Sequence, residues 1–205
     1  MSVVHVIDTV TEWAQRNVCD HIMLKVPPKN NEDAVDGFYE YETAKPTAFP
    51  MYVPTTEKLP PTIHSPFPHM CVRFLKGADA LSEGGGHMDI QLVLSAWNPG
   101  THGQDTFLPD GDGGFVRQSG DSVEFVRDAN GWRDVWNFVD LAMQALKSTT
   151  TIGNYVIDQA TPIEFGPITE QEAIPDFYPF WFAWISFRLT YPLMRKINNV
   201  QEEFL

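Results

Sequence analysis

Apolar positions along the chain follow two periods, and each predicts an element. Val3, Val6, Ile7, Val10, Trp13, Ala14 and Val18 recur at helical spacing, with Asp8, Glu12, Gln15 and Arg16 filling most of the other face. This predicts an amphipathic helix over 3–18. A short strand, His21 to Val26, follows and stops at Pro27-Pro28, because proline cannot donate to a ladder. Met70, Val72 and Phe74 alternate with Cys71, Arg73 and Leu75. Met88, Ile90, Leu92, Leu94 and Ala96 alternate in turn with Asp89, Gln91, Val93, Ser95 and Trp97. This period of two predicts an antiparallel hairpin, with a long, flexible tip ending at Gly84-Gly85-Gly86. Trp132, Val135, Trp136, Val139, Ala142, Met143 and Leu146 return to helical spacing and predict a helix over 132–147, capped by Asn130 and closed by Lys147. Tyr155, Ile157, Ile163 and Phe165 suggest further strand, broken near Pro162 and closed by Gly166-Pro167.

The stretch Pro179 to Tyr191 reads PFWFAWISFRLTY and is the most aromatic in the chain. One parity carries Trp181, Ala183, Ile185, Phe187, Leu189 and Tyr191, which marks it as core and predicts packing on the helix from Trp132 to Lys147. The other parity begins with Phe182 and Trp184 and turns polar at Ser186, Arg188 and Thr190. A strand of this kind is buried on one face and covered on the other only at its start. A cover from the chain's own arm would give Phe182 and Trp184 a role in the fold alone. Bare aromatics there would mark a subunit contact.

Helix, strand, hairpin, helix and strands in this order describe an α+β fold: an antiparallel sheet with two main helices packed on one face. With 205 residues and 43% hydrophobic content, residues 1–205 form one domain most economically. Two segments depart from the pattern. Residues 27–68 hold nine of the sixteen prolines, together with Phe38, Tyr39, Tyr41, Phe49 and Tyr52, and read as an extended Pro-rich arm lying on a surface. Residues 98–130 are rich in Gly and Asp and read as a long loop, or as a small hairpin pairing 114–117 with 123–126.

Charge narrows the partners. Fourteen basic residues against 27 acidic ones leave a formal charge of −13, which opposes a surface that neutralises phosphates and disfavours nucleic acid and anionic membrane. Polar Asp8, Thr9, Thr11 and Glu12 stand where a signal peptide needs an apolar run, and no stretch is long enough to span a bilayer. Cys19 and Cys71 form no C-x-x-C pair, so reduced thiols are expected.

Candidate chemistry is thin. His64, His69, His87 and His102 with Asp89 are the equipment of a metal or acid–base site, and a metal-dependent hydrolase is the enzyme reading they permit. Their spacing matches no H-E-x-x-H or other ligand pattern, and surface or hinge histidines are the simpler account. Asp110, Asp112 and Gly114 open like a calcium loop, but Phe115 stands where the sharp turn needs glycine and Asp121 where the bidentate Glu belongs. No G-x-S-x-G elbow occurs, and neither cysteine has a neighbour that would activate it. No cofactor is indicated, and the weight falls on an interaction protein.

The N-terminal helix running into LKVPP, the hairpin MCVRFLKG…HMDIQLVLSAWN, the helix NGWRDVWNFVDLAMQAL followed by IGNYVI, and the aromatic strand before a short polar tail together resemble the tail terminator (tail completion) proteins of long-tailed bacteriophages and prophage particles. The resemblance covers most of the chain. It implies a structural, non-enzymatic virion protein of the tail or neck, assembled in the host cytoplasm. Such a protein forms a six-membered ring that caps the tail tube, stops its polymerisation and meets the head connector. The partners implied are other copies of the chain, the tube protein and a neck protein, with DNA passing through the ring without specific binding. Another neck component, for head completion or connection, is the neighbouring alternative. On this reading the candidate contact residues are Tyr39, Tyr41, Phe49, Trp97, Phe107, Phe115, Phe182 and Trp184.

Overall fold

The computed structural model describes residues 2–27, 42–63, 65–80, 84–101, 107–109, 115–117, 126–127, 131–169, 175 and 177–192, and only the backbone at 100–101, 107–109, 115–117 and 126–127. Helix α1 spans Val3–Asn17 and buries Val6, Ile7, Val10, Trp13 and Ala14, the stripe its sequence spacing sets. The strand expected at 21–26 shrinks to β1, Leu24–Lys25, which pairs with β2, Thr43–Ala44, outside the main sheet. Strand β3, Thr47–Pro50, precedes the long hairpin of β4, His69–Ala80, and β5, Gly85–Trp97.

Among the residues between the hairpin and the second helix, the short strands β6 (Gly100–Thr101), β7 (Phe107–Pro109), β8 (Phe115–Arg117) and β9 (Val126–Arg127) pair as β6 with β9 and β7 with β8. The partner of 115–117 is therefore 107–109 and not 123–126. Helix α2 runs Trp132–Ser148. Strands β10 (Thr151–Ile152), β11 (Tyr155–Ile157), β12 (Glu164–Pro167) and β13 (Phe180–Pro192) complete the order. Gly153 starts the two-residue turn between β10 and β11 at φ 59°, a conformation that glycine adopts without Cβ strain.

The main sheet has seven strands in the order β10-β11-β13-β5-β4-β3, with β12 also on β13. It is mixed, which corrects the expectation of a wholly antiparallel sheet. β3 runs parallel to β4, with Thr47 opposite His69 and Pro50 opposite Val72, while the other pairs are antiparallel. The physical reason is the path of the chain, which leaves β3 and returns through residues 51–68 to enter β4 in the same direction. The α+β class holds. Val6, Val10 and Trp13 of α1 and Val135, Phe138 and Leu146 of α2 share one core with Met70, Val72, Ile90, Leu92, Leu94, Ala183, Ile185 and Leu189.

The aromatic strand pairs with β5 along its whole length, from Phe180 opposite Trp97 to Pro192 opposite Gly85. Its first parity is core as expected, with Ala183, Ile185, Phe187, Leu189 and Tyr191 buried and α2 packed on that face. The hairpin tip is shorter than its composition suggests. Lys76 to Ala80 continue β4 past a bulge at Leu75 and pair with Gly85 to Asp89. Exposure explains why the pattern hid this, since residues 76–79 are exposed and no apolar alternation is required of them.

The open edge of β3 is closed by a side chain. Odd residues of β3 turn to β4, as Thr47 N–H donates to Pro68 O at 3.3 Å and Met51 N–H to Val72 O at 2.7 Å. The outward donors would come from 46, 48 and 50, and Pro46 and Pro50 have no N–H. Ala48 N–H donates to Gln15 Oε1 at 2.9 Å, and Gln15 Nε2 donates to Pro46 O at 3.3 Å, so the amide of Gln15 stands in for one peptide of a missing strand. Gln15→Leu should lower stability by about 1 kcal/mol. It should also add concentration-dependent oligomers in sedimentation velocity; an unchanged distribution would show that the prolines alone guard the edge.

Candidate functional site

A groove of about 430 Å³ opens at the edge of the sheet, between the first turns of α2, strand β12 and the start of β13. Trp132, Val135 and Trp136 form one wall, Pro167 and Ile168 the second, and Pro175, Phe177, Phe180, Trp181 and Phe182 the third. Among the described residues every lining side chain is apolar or aromatic, which suits an occupant that needs few hydrogen bonds. Trp132 and Phe177 are 43% and 46% exposed, and Phe165, 53% exposed, meets Trp136 edge-on at 6.5 Å between centroids. Arg133 lies over the ring of Trp132 at 5.5 Å and puts a cation on the rim.

The wall formed by α2 is anchored at Asn98. Its side chain accepts a hydrogen bond from Lys25 Nζ at 3.0 Å and donates to Asp134 at 2.7 Å, while its carbonyl accepts the indole N–H of Trp181 at 3.0 Å. Its own N–H donates to Pro179 O at 3.0 Å. One 8%-exposed residue thus ties β1, the end of β5, the first turn of α2 and the start of β13. Asn130, expected as the cap of α2, lies outside the described residues; Gly131 holds the N-cap position and makes no side-chain bond. The α2 stripe is shifted from the expected one, since Phe138 is fully buried while Trp132 faces out.

The second parity of the aromatic strand is partly covered by its own chain. Phe67 lies 4.6 Å from Phe180 and 6.1 Å from Phe182, and Phe177 lies 5.5 Å from Phe182. Trp184 sits over Gly166, and its indole N–H donates to Pro167 O at 3.0 Å. Phe49 and Trp97 are each 7% exposed. Tyr39 and Tyr41 lie outside the described residues. For Phe107 and Phe115 the described feature is backbone pairing, with Phe107 opposite Arg117 and Phe115 opposite Pro109. Of the candidates whose side chains are described, Phe182 lines the groove and Phe49, Trp97 and Trp184 do not. The exposure of Trp132, Phe165 and Phe177 was not foreseen, because two sit in patterns that read as core and Phe177 in a segment that reads as turn.

Among the described members of the histidine and carboxylate set, His69 stands apart from His87 and Asp89, which are neighbours on β5. His69 is opposite Ser95 and His87 lies eight residues earlier on the same strand, roughly 27 Å away by strand rise. His64 and His102, with the Asp110–Asp121 loop, lie outside the described residues. His69 is buried, donates through Nδ1 to Pro66 O at 2.8 Å, and packs against Phe67 and Phe49 at 5.0 and 6.3 Å. Burial pushes its pKa down to about 4.

Asp89 faces Arg188 directly across the ladder, accepting bonds of 2.7 and 3.3 Å, and Lys76 approaches to 3.6 Å. The Arg188 bond holds its carboxyl below the usual range. Burial pushes the Cys19 thiol up to about 12 and raises that of Cys71, which leaves both protonated. Among the described residues no group of three or more His, Cys, Asp or Glu is placed to hold a metal, and no helix is long and apolar enough to cross a membrane. No family model matches this chain, and no curated protein matches it at a significant level.

Proposed function

We propose that this chain is a structural subunit that associates with copies of itself, and that it serves as a tail terminator at the junction of a phage tail tube and the head connector. The observation that carries the self-association is the groove, where Trp132 and Phe177 line an opening with about half of each residue exposed and Phe165 stands exposed against Trp136. Large apolar patches left open on a folded chain mark contacts with other molecules. The tail terminator assignment rests on the resemblance carried by the N-terminal helix running into LKVPP, the hairpin, the second helix followed by IGNYVI, and the aromatic strand before a short polar tail. In this reading the chain is not an enzyme, the six-membered ring is its working form, the virion is its location, and of the expected arm 27–68 only the prolyl stretch after β3 reaches a neighbour, since β2 and β3 are paired within the fold.

Light scattering on the purified chain, with and without tube protein, tests it. The expected result is a discrete oligomer on tube ends, with tubes that stop growing. A chain that stays monomeric and never caps tubes at high concentration would end the reading, and selective binding to a portal ring would move it to another neck component.

A further inference from the structure

We propose that the groove receives the prolyl turn Leu59–Thr62 of a second copy of this chain, a head-to-tail contact that rests on reading the groove as a subunit interface. The chemistry of both surfaces carries it. The groove offers aromatic faces, among them Trp132, Trp136, Phe177 and Phe180. A peptide entering such a groove loses the water on its backbone N–H groups, and an orphaned donor is costly. Pro60 and Pro61 are consecutive, exposed and have no N–H to orphan.

The turn is also formed in advance. Leu59 enters at φ −70° and ψ 148°, and Ile63 N–H donates to Pro60 O at 2.9 Å, which closes Pro60 to Ile63 as a β-turn. Little ordering remains to be done on binding. None of the groove's lining comes from 51–63 of its own copy, so the turn is available to another.

Charge favours the same pairing. Each copy carries a formal −13, and copies repel unless one of the 14 cations meets an acid at the contact. Arg133 is that cation on the rim, and Glu57, two residues before Leu59 with Lys58 between them, is the acid it would meet on a segment that is itself neutral and so adds no repulsion. Gln15 and two prolines close the β3 edge, so pairing through that edge is not the competing route. A turn on one copy and a groove on the next make a heterologous contact, the kind from which a ring is built when its rotation closes.

Two variants test it: Pro60→Ser with Pro61→Ser, and Trp132→Ala with Phe177→Ala, all at exposed positions. Each alone should be monomeric in sedimentation velocity where the unaltered chain assembles. Mixed together they should give a heterodimer and nothing larger, because each pair retains one intact turn and one intact groove. A turn variant that assembles like the unaltered chain would overturn the proposal.

A synthetic peptide of residues 54–63, titrated into the full chain and followed by tryptophan fluorescence, reads the contact independently of assembly. Binding should weaken at least about tenfold in the groove variant, and about threefold with Glu57→Gln in the peptide, the loss of one exposed ion pair. No saturable binding at millimolar peptide would overturn the contact. Tube capping by the turn variant would overturn this contact and leave the terminator reading standing. Peptide binding without tube capping by the unaltered chain would do the reverse.

Discussion

Gly131→Ala should lower the stability of the fold by about 3 kcal/mol. A Cβ built at Gly131 falls 2.4 Å from Asn98 O and 2.6 Å from Trp181 Nε1, and the nearer atom is backbone that cannot swing aside. Relief requires α2 to move away from the end of β5. That movement breaks the Trp181 to Asn98 bond and strains the Asn98 to Asp134 bond. Gly166→Ala is the control. Its nearest contact is 3.3 Å from the Trp184 ring, a side chain able to shift by a few tenths of an ångström, so its cost should stay below about 1 kcal/mol. Urea midpoints at fixed slope separate the two, and equal midpoints would show that Asn98 does not hold α2 in place. Because α2 supplies a wall of the groove, Gly131→Ala should weaken peptide binding as well.

The elements that bury one continuous face were legible in the sequence, and those held from outside were not. Ile185 and Leu189 on β13 and Val6 and Val10 on α1 announce their period because the core demands it. Lys76 to Ala80 announce nothing, since pairing with β5 places them while water takes both faces. The parallel pairing of β3 depends on where residues 51–68 return, and direction leaves no trace in a four-residue strand. Gln15 reads as one more polar position on the outer face of α1, and only the three-dimensional approach of Ala48 shows that it completes a strand.

The groove was half legible for a related reason. Trp132 and Trp136 fit the helical spacing of core residues, yet the stripe is centred on Phe138, Val139, Ala142 and Leu146, which leaves the two tryptophans on its flank. Spacing gives the presence of a stripe and leaves its edge undetermined by about one residue. Phe182 and Trp184 were the reverse case. Their excess of apolar surface was plain, and the chain supplies much of the cover itself through Phe67, Phe177 and Pro167. The contact proposed for a second copy therefore shifts from the face of the aromatic strand to its starting end.

Stability should fall by about 3 kcal/mol as pH drops from about 6.5 to about 4, and His69 should account for it. In the fold this imidazole is buried beside Phe67 and its pKa is pushed down to about 4, against an ordinary value of 6.5. Between those values the unfolded chain binds a proton that the native state refuses, so the free energy of unfolding rises with pH there and is lost on acidification. The carboxyls of Asp89 and Asp158 are held below their ordinary value of 3.8, and their contributions are lost only at still lower pH, so the two windows separate. His69→Phe keeps the aromatic contacts and removes the titration, at a cost of about 1 kcal/mol for leaving Pro66 O without its donor. The two stability curves should therefore cross, with the variant the weaker protein near neutrality and the stronger one near pH 4. Urea unfolding at several pH values measures the crossing directly, and parallel curves would show that His69 accepts a proton inside the folded chain at little cost.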